Sequence, residues 1–573
     1  MAHCAYWSRA PTVPSKLEVT SGWADCPIRN GIQERRMSDG IHERRRKFYG
    51  WGYEGDEVSP QEIAEFEQAW TRLLGVSDFT AIPFPTEGSI DLRPSRLKVP
   101  ASLAAICTTD KYDRLYHTYG ASTVDVAYAV RGEFRNPPDA VAYPRTEGDI
   151  VTLFRWCENE SLAAVPYGGG TSVVGGVNPP QHDRYRGTVS IDMKYFDNVL
   201  EIDHASQAAR IQAGVLGPAL ERQLKPSGLT LRFFLQAWEF SSLGGWIATR
   251  AAGHFSTVYT QIDDHIESMR VVTPAGNIES RRFPVSGAGP NPDRLFLGSE
   301  GALGIITEAW VRLHRRPKHR QMTSVRFTDY EKAVDATRCI SQSALYPASA
   351  RLVEREEAAY TGSSDGTYDI IVLGFESADH PVNASMKRAL EICGDHGGTW
   401  DAASLTGGAH ADSGAKSWRD KFLRGPYLRE YMIARGVMRE TMETATTWER
   451  FAKLREHVKA ETHRAIREVT GRPGSVTCRF THLYPDGPAP YFTWFAYGDK
   501  ARIPEQYMAI KKIAEQAMVD SGGTVTHHHA LGRDHRPWYD KERPELFCSA
   551  MKAAKNIFDP RAILNPGVLF DPS

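Results

Sequence analysis

The sequence predicts an α+β fold built from two successive sheet-containing units. Between residues 137 and about 315, short apolar strands alternate with helical segments, a pattern compatible with an α/β or an α+β arrangement. From about residue 320 the order becomes strand, helix, strand, strand, helix, which is typical of an antiparallel sheet with helices on one face. Residues 60–136, in front of both units, are predicted to be mainly helical.

The elements of the first unit follow from local signals. Apolar spacing predicts a helix over 62–74 before the unit begins. A short strand at 140–143 ends at Pro144, and Thr146, with Asp149 three residues later, is an N-cap for a helix that runs to about Glu160. A strand at 162–165 then enters a glycine-rich segment. Further strands are predicted at 188–192, 208–213 and 268–272.

The second unit begins near Arg320. Strands are predicted at 323–327, 348–353 and 369–375, with helices at 330–342 and 383–394. Residues 416–470 have a strongly helical pattern. The remaining predictions are strands at 475–481 and 490–496, a helix at 504–521 and a short strand at 524–528.

Composition excludes several classes of protein. The 573 residues carry a formal net charge of −1, so nothing favours nucleic acid or an anionic membrane as a general partner. Eight scattered cysteines without a CxxC pair predict free thiols in a reducing compartment and no zinc site. Neither a secretory signal nor a membrane-spanning run is found, so a cytoplasmic location is expected.

A basic run at 44–47 precedes the aromatic segment 48–52 near the start of the chain. Two interpretations stay open: a solvated arm, or an ordered arm that packs over another domain through its aromatic side chains.

Three glycine-rich segments carry the strongest functional signal. Without a Cβ, glycine allows backbone N–H groups to approach a diphosphate closely, although any one such segment could be a plain turn. The candidate cofactor-binding residues are Pro166, Tyr167, Gly168, Gly169, Gly170, Thr171 and Ser172 in the first segment, Leu235, Gln236, Ala237, Trp238, Glu239, Phe240, Ser241, Ala248, Thr249, Arg250 and Ala251 in the second, and Glu300, Gly301, Ala302, Leu303, Gly304, Ile305 and Ile306 in the third.

Together and in this order, the three segments resemble the PCMH-type FAD-binding domain of the vanillyl-alcohol oxidase family, and residues 559–567 resemble the family's C-terminal signature. The resemblance implies FAD as cofactor, with the first segment around its diphosphate. It implies a two-subdomain FAD-binding domain at 137–315 after an N-terminal arm and helical region at 1–136. A cap domain with an antiparallel sheet would follow at 316–545, and 546–573 would return to the FAD domain. Because positions 168–176 contain neither His nor Cys, noncovalent FAD is expected.

The C-terminal half separates two branches of this family. The D-lactate and glycolate dehydrogenase branch carries histidines and acids that hold a divalent metal. Here His482 and Asp486 match that pattern, but Tyr491 stands where the second His belongs, and His527, His528 and His529 replace a Gly-Glu-His-Gly segment. We therefore expect no metal, and we expect His482 and Asp486 to act as hydrogen-bonding residues.

This departure resembles the ether-lipid-forming branch of the family. The resemblance implies that a long-chain fatty alcohol replaces the acyl group of acyl-dihydroxyacetone phosphate without net oxidation, in a homodimer that contacts membranes peripherally. A 2-hydroxy-acid dehydrogenase of the D-lactate or glycolate type is the alternative. By the same resemblance, Tyr491 is the catalytic base, Arg429 contacts the substrate and Arg351 is a second functional arginine.

The three histidines are the remaining catalytic candidates. A phenol with a pKa of about 10 must be made more acidic to act as a base near neutrality, and cationic histidines are one possible source. If 527–529 is extended, His527 and His529 share a face, so at most two of the three address one group. One catalytic His with two structural neighbours is the alternative. Phe492, Trp494 and Phe495 either line a tunnel for an alkyl chain or belong to the core.

Overall fold

The structure is a computed structural model that describes residues 44–259, 261–402 and 424–571. Its α-helices are Pro60–Leu74, Lys111–Tyr116, Thr123–Val130, Glu147–Glu160, Gly217–Leu224, Leu243–Thr249, Ser256–Tyr259, Ile262–His265, Tyr330–Gln342, Arg355–Tyr360, Asn383–Asp395, Arg429–Ala434, Trp448–Thr470, Ile503–Asp520, Arg536–Glu542 and Glu545–Phe558. Among the described residues, no helix is long and apolar enough to cross a lipid bilayer.

The region before the first sheet is less helical than predicted. Pro60–Leu74 forms as expected, but the next α-helix starts only at Lys111. Four prolines between these helices, at 83, 85, 94 and 100, remove backbone donors and disfavour helix. The prediction of a mainly helical 60–136 is therefore wrong for this stretch.

Two sheets follow; the first glycine segment leaves a strand of the first sheet, and the third leads into a strand of the second. The first sheet has the order Cys107–Thr108, Ala140–Ala142, Gly187–Asp192, Leu162–Tyr167, and its last three strands are parallel. The second is antiparallel, in the order Val199–Asp203, Ala208–Gln212, Ile305–Arg312, Ile266–Thr273, Gly276–Glu279.

The predicted helix cap is present, since the Thr146 side chain and Asp149 form a capping box at the start of Glu147–Glu160. The helix packs on Leu162–Tyr167, a strand that is longer than predicted and includes Pro166 and Tyr167. The first glycine segment therefore starts at the carboxyl end of a buried parallel strand.

A seven-stranded antiparallel sheet forms the second unit, as predicted. Its order is Thr399–Trp400, His319–Phe327, Asp369–Ser377, Ser349–Val353, Ser475–Tyr484, Gly487–Tyr497, Val437–Glu443. One face packs on helices such as Tyr330–Gln342 and Trp448–Thr470, and it buries Phe492 and Trp494 in the largest core cluster. Tyr491 points to the opposite face, because neighbouring side chains alternate along a strand.

Two sequence predictions in this unit are wrong. Within the part of 416–470 that the structure describes, Val437–Glu443 is an edge strand and not helix, and residues 416–423 lie outside the described residues. The apolar residues of this segment are those of a strand that packs one face on the core and carries polar side chains on the other face. Residues 524–528 form an irregular bent segment instead of a short strand, because the amides of residues 525, 527 and 528 bond to carboxylate side chains.

Candidate active site

The first two glycine segments pack backbone against backbone. A Cβ at Gly169 would overlap the carbonyl oxygen of Phe240 and lie 2.6 Å from its carbonyl carbon. A Cβ at Gly168 would likewise overlap the Ser242 hydroxyl, and Gly170 has a φ of +68°. Any other residue at Gly168 or Gly169 would displace the second segment, and the positive φ at Gly170 favours glycine.

The third segment and the chain's C-terminal region close the same assembly. Gly301 has a φ of +73°, and a Cβ there would lie 2.7 Å from Cγ of Pro166. The carboxylate of Glu300 accepts the backbone N–H groups of Leu531 (2.8 Å) and Gly532 (2.9 Å). The Asn565 amide donates to the carbonyl oxygens of Gly176 (2.9 Å) and Glu300 (2.7 Å). Asn565 thus ties the first segment to the third.

The glycine segments fit the diphosphate of a dinucleotide. Within the described chain, the backbone amides of Gly168, Gly169, Gly170 and Thr171 make no hydrogen bond, so they are available to an anion. The close approach at Gly169 and the positive φ of Gly170 keep side chains away from these amides. When bound, FAD would supply reversible two-electron chemistry there.

A cavity of about 910 Å³ connects the cofactor segments with the cap. Thr249, Arg250 and Glu300 line one side of it, and His527 and His528 line the other. The histidine cluster therefore shares one space with predicted cofactor-binding residues.

Tyr491 lies at the centre of the polar face of the seven-stranded sheet. It is 3 % exposed, and the guanidinium of Arg479, its partner on the next strand, lies 4.0 Å above its ring. Burial and, to a lesser extent, the Glu443 carboxylate raise the pKa of Tyr491, whereas Arg479, a Thr441 hydrogen bond and Arg439 counteract that rise by favouring phenolate.

The three histidines surround Tyr491 unevenly. His529 Nε2 is 3.3 Å from the Tyr491 hydroxyl, and the His528 ring lies roughly parallel to the Tyr491 ring at 5.8 Å. His527 turns away and bonds the hydroxyl of Tyr484 at 2.7 Å. Two histidines thus approach Tyr491, but they are the adjacent pair 528 and 529, because the segment is bent and not extended.

The histidines do not supply the expected positive charge. Burial lowers the pKa of His528 and His529 well below the ordinary value, and it lowers the pKa of His527 to about 4. All three imidazoles are therefore neutral near pH 7. The idea that cationic histidines make Tyr491 more acidic is wrong for this structure, where the cationic neighbours are Arg479 and Arg439.

His482, His527 and His528 place ring nitrogens within 4.8 Å of one another, close enough to share a metal ion. His482 Nε2 already bonds the carbonyl oxygen of Gly253 (3.0 Å), and His527 Nε2 bonds Tyr484. Asp486 does not belong to this group. The absence of a resident metal stays a prediction.

The two predicted arginines lie on different elements. Arg351, on Ser349–Val353, donates to His254 Nδ1 (2.8 Å) and to the His254 carbonyl oxygen (3.2 Å), and burial lowers its pKa to about 9. Arg429 begins the helix Arg429–Ala434, is partly buried and donates to the carbonyl oxygen of Ala121. Arg429 also lines a small cavity together with Arg439 and Gln236.

Several residues of the site were not found from the sequence. Arg479, Arg439 and Glu443 share the sheet face of Tyr491, while Tyr484 and His254 hold predicted residues. Polar and charged residues at alternate positions of one strand, Arg439, Thr441 and Glu443, were the signal that could have revealed this face.

The buried imidazoles predict a fold that loses stability in acid. Because the pKa of His527 is about 4 when folded and near 6.5 when unfolded, the unfolded chain binds more protons between these values, and stability falls as pH falls. His482, His528 and His529 act in the same direction, each with a slope of up to about 1.4 kcal/mol per pH unit. His535, whose pKa is raised beside Glu515, and the carboxyls of Asp125 and Glu430, whose pKa values burial raises to about 6 and about 7, oppose them.

We expect the melting temperature of the FAD-loaded protein to fall steeply below pH 6.5, and less steeply for His527→Gln. Calorimetry between pH 7.5 and 5 measures both slopes. A melting temperature that does not change over this range would contradict the prediction.

Two family profiles match the chain. One, described as the FAD binding domain, matches residues 138–280, and the other, the C-terminal domain of FAD linked oxidases, matches residues 316–569. The chain is thus an FAD-dependent flavoprotein with a PCMH-type FAD-binding domain and a cap, as the sequence predicted.

Individual proteins similar to this chain indicate which kinds of flavoprotein it resembles. The chain is 29% identical to an alkyldihydroxyacetonephosphate synthase of Dictyostelium discoideum over 80% of its own length and 77% of that protein. A solved alkyldihydroxyacetonephosphate synthase superposes with a TM-score of 0.75 at 25% identity, covering 91% of this chain and 98% of the other. The glycolate oxidase subunit GlcD of Bacillus subtilis is 26% identical over 78% of this chain and 91% of that protein.

Proposed function

We propose that this flavoprotein is an alkyldihydroxyacetonephosphate synthase, which exchanges the acyl group of acyl-dihydroxyacetone phosphate for a long-chain fatty alcohol. The products are an alkyl ether and a free fatty acid, with no net oxidation. The observation that carries the proposal is the buried Tyr491, under Arg479 and 3.3 Å from His529, at a position where the 2-hydroxy-acid dehydrogenases have a metal-binding His. The similarity to synthases over four-fifths of the chain supports it.

The reaction needs a proton removed from the carbon beside the substrate ketone. We assign this step to Tyr491 Oη, with Arg479 favouring the phenolate and His529 Nε2 positioned to accept the phenol proton. Bound FAD supplies a reversible electron sink, so the exchange needs no external acceptor. His528, parallel to the phenol ring, limits the space on that side.

The substrate's phosphate needs cationic donors. We assign it to the guanidinium groups of Arg429 and Arg439, which line a small cavity of about 20 Å³ together with Gln236 and Glu440, because guanidinium groups bind phosphate through paired N–H donors. Arg351 fixes His254 beside the cap sheet, and we assign it a supporting role.

The alkyl chains need a nonpolar route. A mostly apolar cavity of about 90 Å³ has Arg439, Arg479 and Glu357 in its lining, and its apolar lining includes Phe66, Trp70, Leu73, Leu428, Met432 and Phe495. We assign the chain-binding role to this cavity. Of the three aromatic candidates only Phe495 lines it, whereas Phe492 and Trp494 lie in the core. Noncovalent FAD attachment, the homodimer, the peripheral membrane contact and the cytoplasmic location stay predictions.

The proposal is tested by measuring whether products form without an electron acceptor. FAD-loaded protein is given palmitoyl-dihydroxyacetone phosphate and hexadecanol under anaerobic conditions, without an electron acceptor. We expect alkyl ether and palmitate in equal amounts. Oxidation of D-lactate or glycolate that depends on a dye acceptor, with no ether formed, would favour the dehydrogenase alternative.

A further inference from the structure

A single buried carboxylate organises the histidine segment. Glu443 is 2 % exposed, and it accepts the Thr526 hydroxyl (2.6 Å) and the backbone N–H groups of His528 (3.0 Å) and His529 (2.7 Å) at Oε1. The backbone N–H of His527 donates to the other oxygen. Four donors therefore converge on one side chain, which explains why the segment bends instead of pairing as a strand.

Glu443 also lies next to Tyr491 on the sheet and is connected to its hydroxyl through His529. Glu443 and Tyr491 are Cα partners on neighbouring strands, so their side chains leave the same sheet face. The Glu443 carboxylate also lies 3.6 Å from His529 Nδ1, while His529 Nε2 lies 3.3 Å from the Tyr491 hydroxyl. Phenol, imidazole and carboxylate thus form one continuous row.

We propose that Glu443 is a positioning residue for the exchange reaction, acting through His529 on Tyr491. Its negative charge favours the tautomer with the proton on His529 Nδ1, which leaves Nε2 free to accept the phenol proton. It also stabilises the imidazolium that this transfer creates. The row carries one proton in one step: the O–H bond of Tyr491 breaks, the N–H bond at His529 Nε2 forms, and Glu443 stays ionised. This role rests on the proposed function.

Two substitutions separate charge from hydrogen bonding. In Glu443→Gln, the amide oxygen can still accept the three donors at the Oε1 position, but the charge is lost and an NH₂ group faces the His527 amide. In Glu443→Ala, all four donors lose their partner. We expect kcat to fall about tenfold in the first variant and at least about a hundredfold in the second, with KM for the acyl substrate changed far less.

The pH profile provides a readout that a merely structural role would not change. Burial and the neighbouring His535, Lys511, Arg429 and Arg479 already lower the pKa of His529, and they stay in place in Glu443→Gln. Without the carboxylate, the His529 imidazolium is less stable still, so the acid limb of the kcat profile moves to lower pH in this variant. Glu354→Gln is the matched control, because Glu354 is also a buried carboxylate with several donors: Arg455, Lys459 and the amide of Cys478. That variant is expected to lose thermal stability but to keep its kcat and pH profile.

A crystal structure of FAD-loaded Glu443→Ala tests the positioning independently of the reaction. We expect residues 526–529 to leave their place and the His529–Tyr491 contact to be lost. An unmoved segment, or unchanged kcat and pH profile in both Glu443 variants, would overturn the inference. If the wild-type protein forms no ether, the proposed function fails, and a displaced segment would still establish that Glu443 positions the histidines.

Discussion

Tyr491→Phe is expected to bind FAD like the wild-type protein and to lose acyl-for-alkyl exchange by about 10²- to 10⁴-fold, the usual range for a general acid–base group. The substitution removes only the hydroxyl, so the ring still fills the space under Arg479 and beside His528. The proton-accepting oxygen and its contact with His529 disappear. Ether formation and FAD content per protein, measured on the same preparation, test the two halves of this prediction.

A second, partly buried tyrosine provides the control. Tyr330 is on the helix Tyr330–Gln342, against the Arg455 guanidinium, and it takes no part in the site. Tyr330→Phe should therefore leave exchange unchanged. If Tyr491→Phe were as active as Tyr330→Phe, the proton transfer would have to be assigned to another group, and His529 would be the nearest candidate.

The difference between predicted and observed charges at this site has a physical origin. A run of three histidines indicates cations only if the rings are well solvated, and here partial burial desolvates all of them. Arginine keeps its proton under the same burial because its intrinsic pKa is so high. The positive charge near Tyr491 therefore comes from Arg479 and Arg439, on strands that run beside its own.

The sequence does not predict that Arg479 lies against Tyr491, because one irregularity in the strand pairing brings them together. A tight turn at Pro485 and Asp486 pairs Tyr484 with Gly487, and regular pairing from there would put Arg479 opposite Phe492. A bulge between Phe480 and His482 shifts the register by one, so that Arg479 faces Tyr491 instead. Alternation predicts the face of a residue only while the register is regular, and the sequence carries no clear signal for this bulge.

The cofactor segments were more predictable than the cap. Their information lies in glycines, whose missing Cβ is itself the structural requirement, so the order of the segments was enough to predict the FAD-binding fold. The cap depends on contacts between residues far apart in sequence. Glu443 with residues 526–529 is the clearest example, because a helical pattern was read at 443 and a strand at 527. Neither prediction could include the hydrogen bonds by which the Glu443 carboxylate accepts the backbone N–H groups of the histidine segment.

Gly169→Ala is expected to abolish FAD binding while the protein still folds. The added methyl would lie 2.6 Å from the carbonyl carbon of Phe240 and 3.0 Å from Cα of Ser241, so backbone would have to move away from backbone. Overpacking against flexible side chains already costs roughly 1–3 kcal/mol, and rigid backbone can yield less. The displacement would also move the free amides of the first segment. Flavin absorbance per protein after purification, with circular dichroism to confirm folding, measures the effect.

Gly148→Ala is the matched control, since a Cβ there lies 3.6 Å from the Thr146 hydroxyl, an ordinary contact, within a helix that alanine favours. It should keep full FAD content and slightly raised stability. Normal flavin content in Gly169→Ala would mean that the contact with Phe240 relaxes without moving the amides, and the diphosphate would then have to bind elsewhere. Loss of flavin with an intact fold would instead establish that the missing Cβ at Gly169 is a requirement of the cofactor site, because the variant would then fold but not bind FAD.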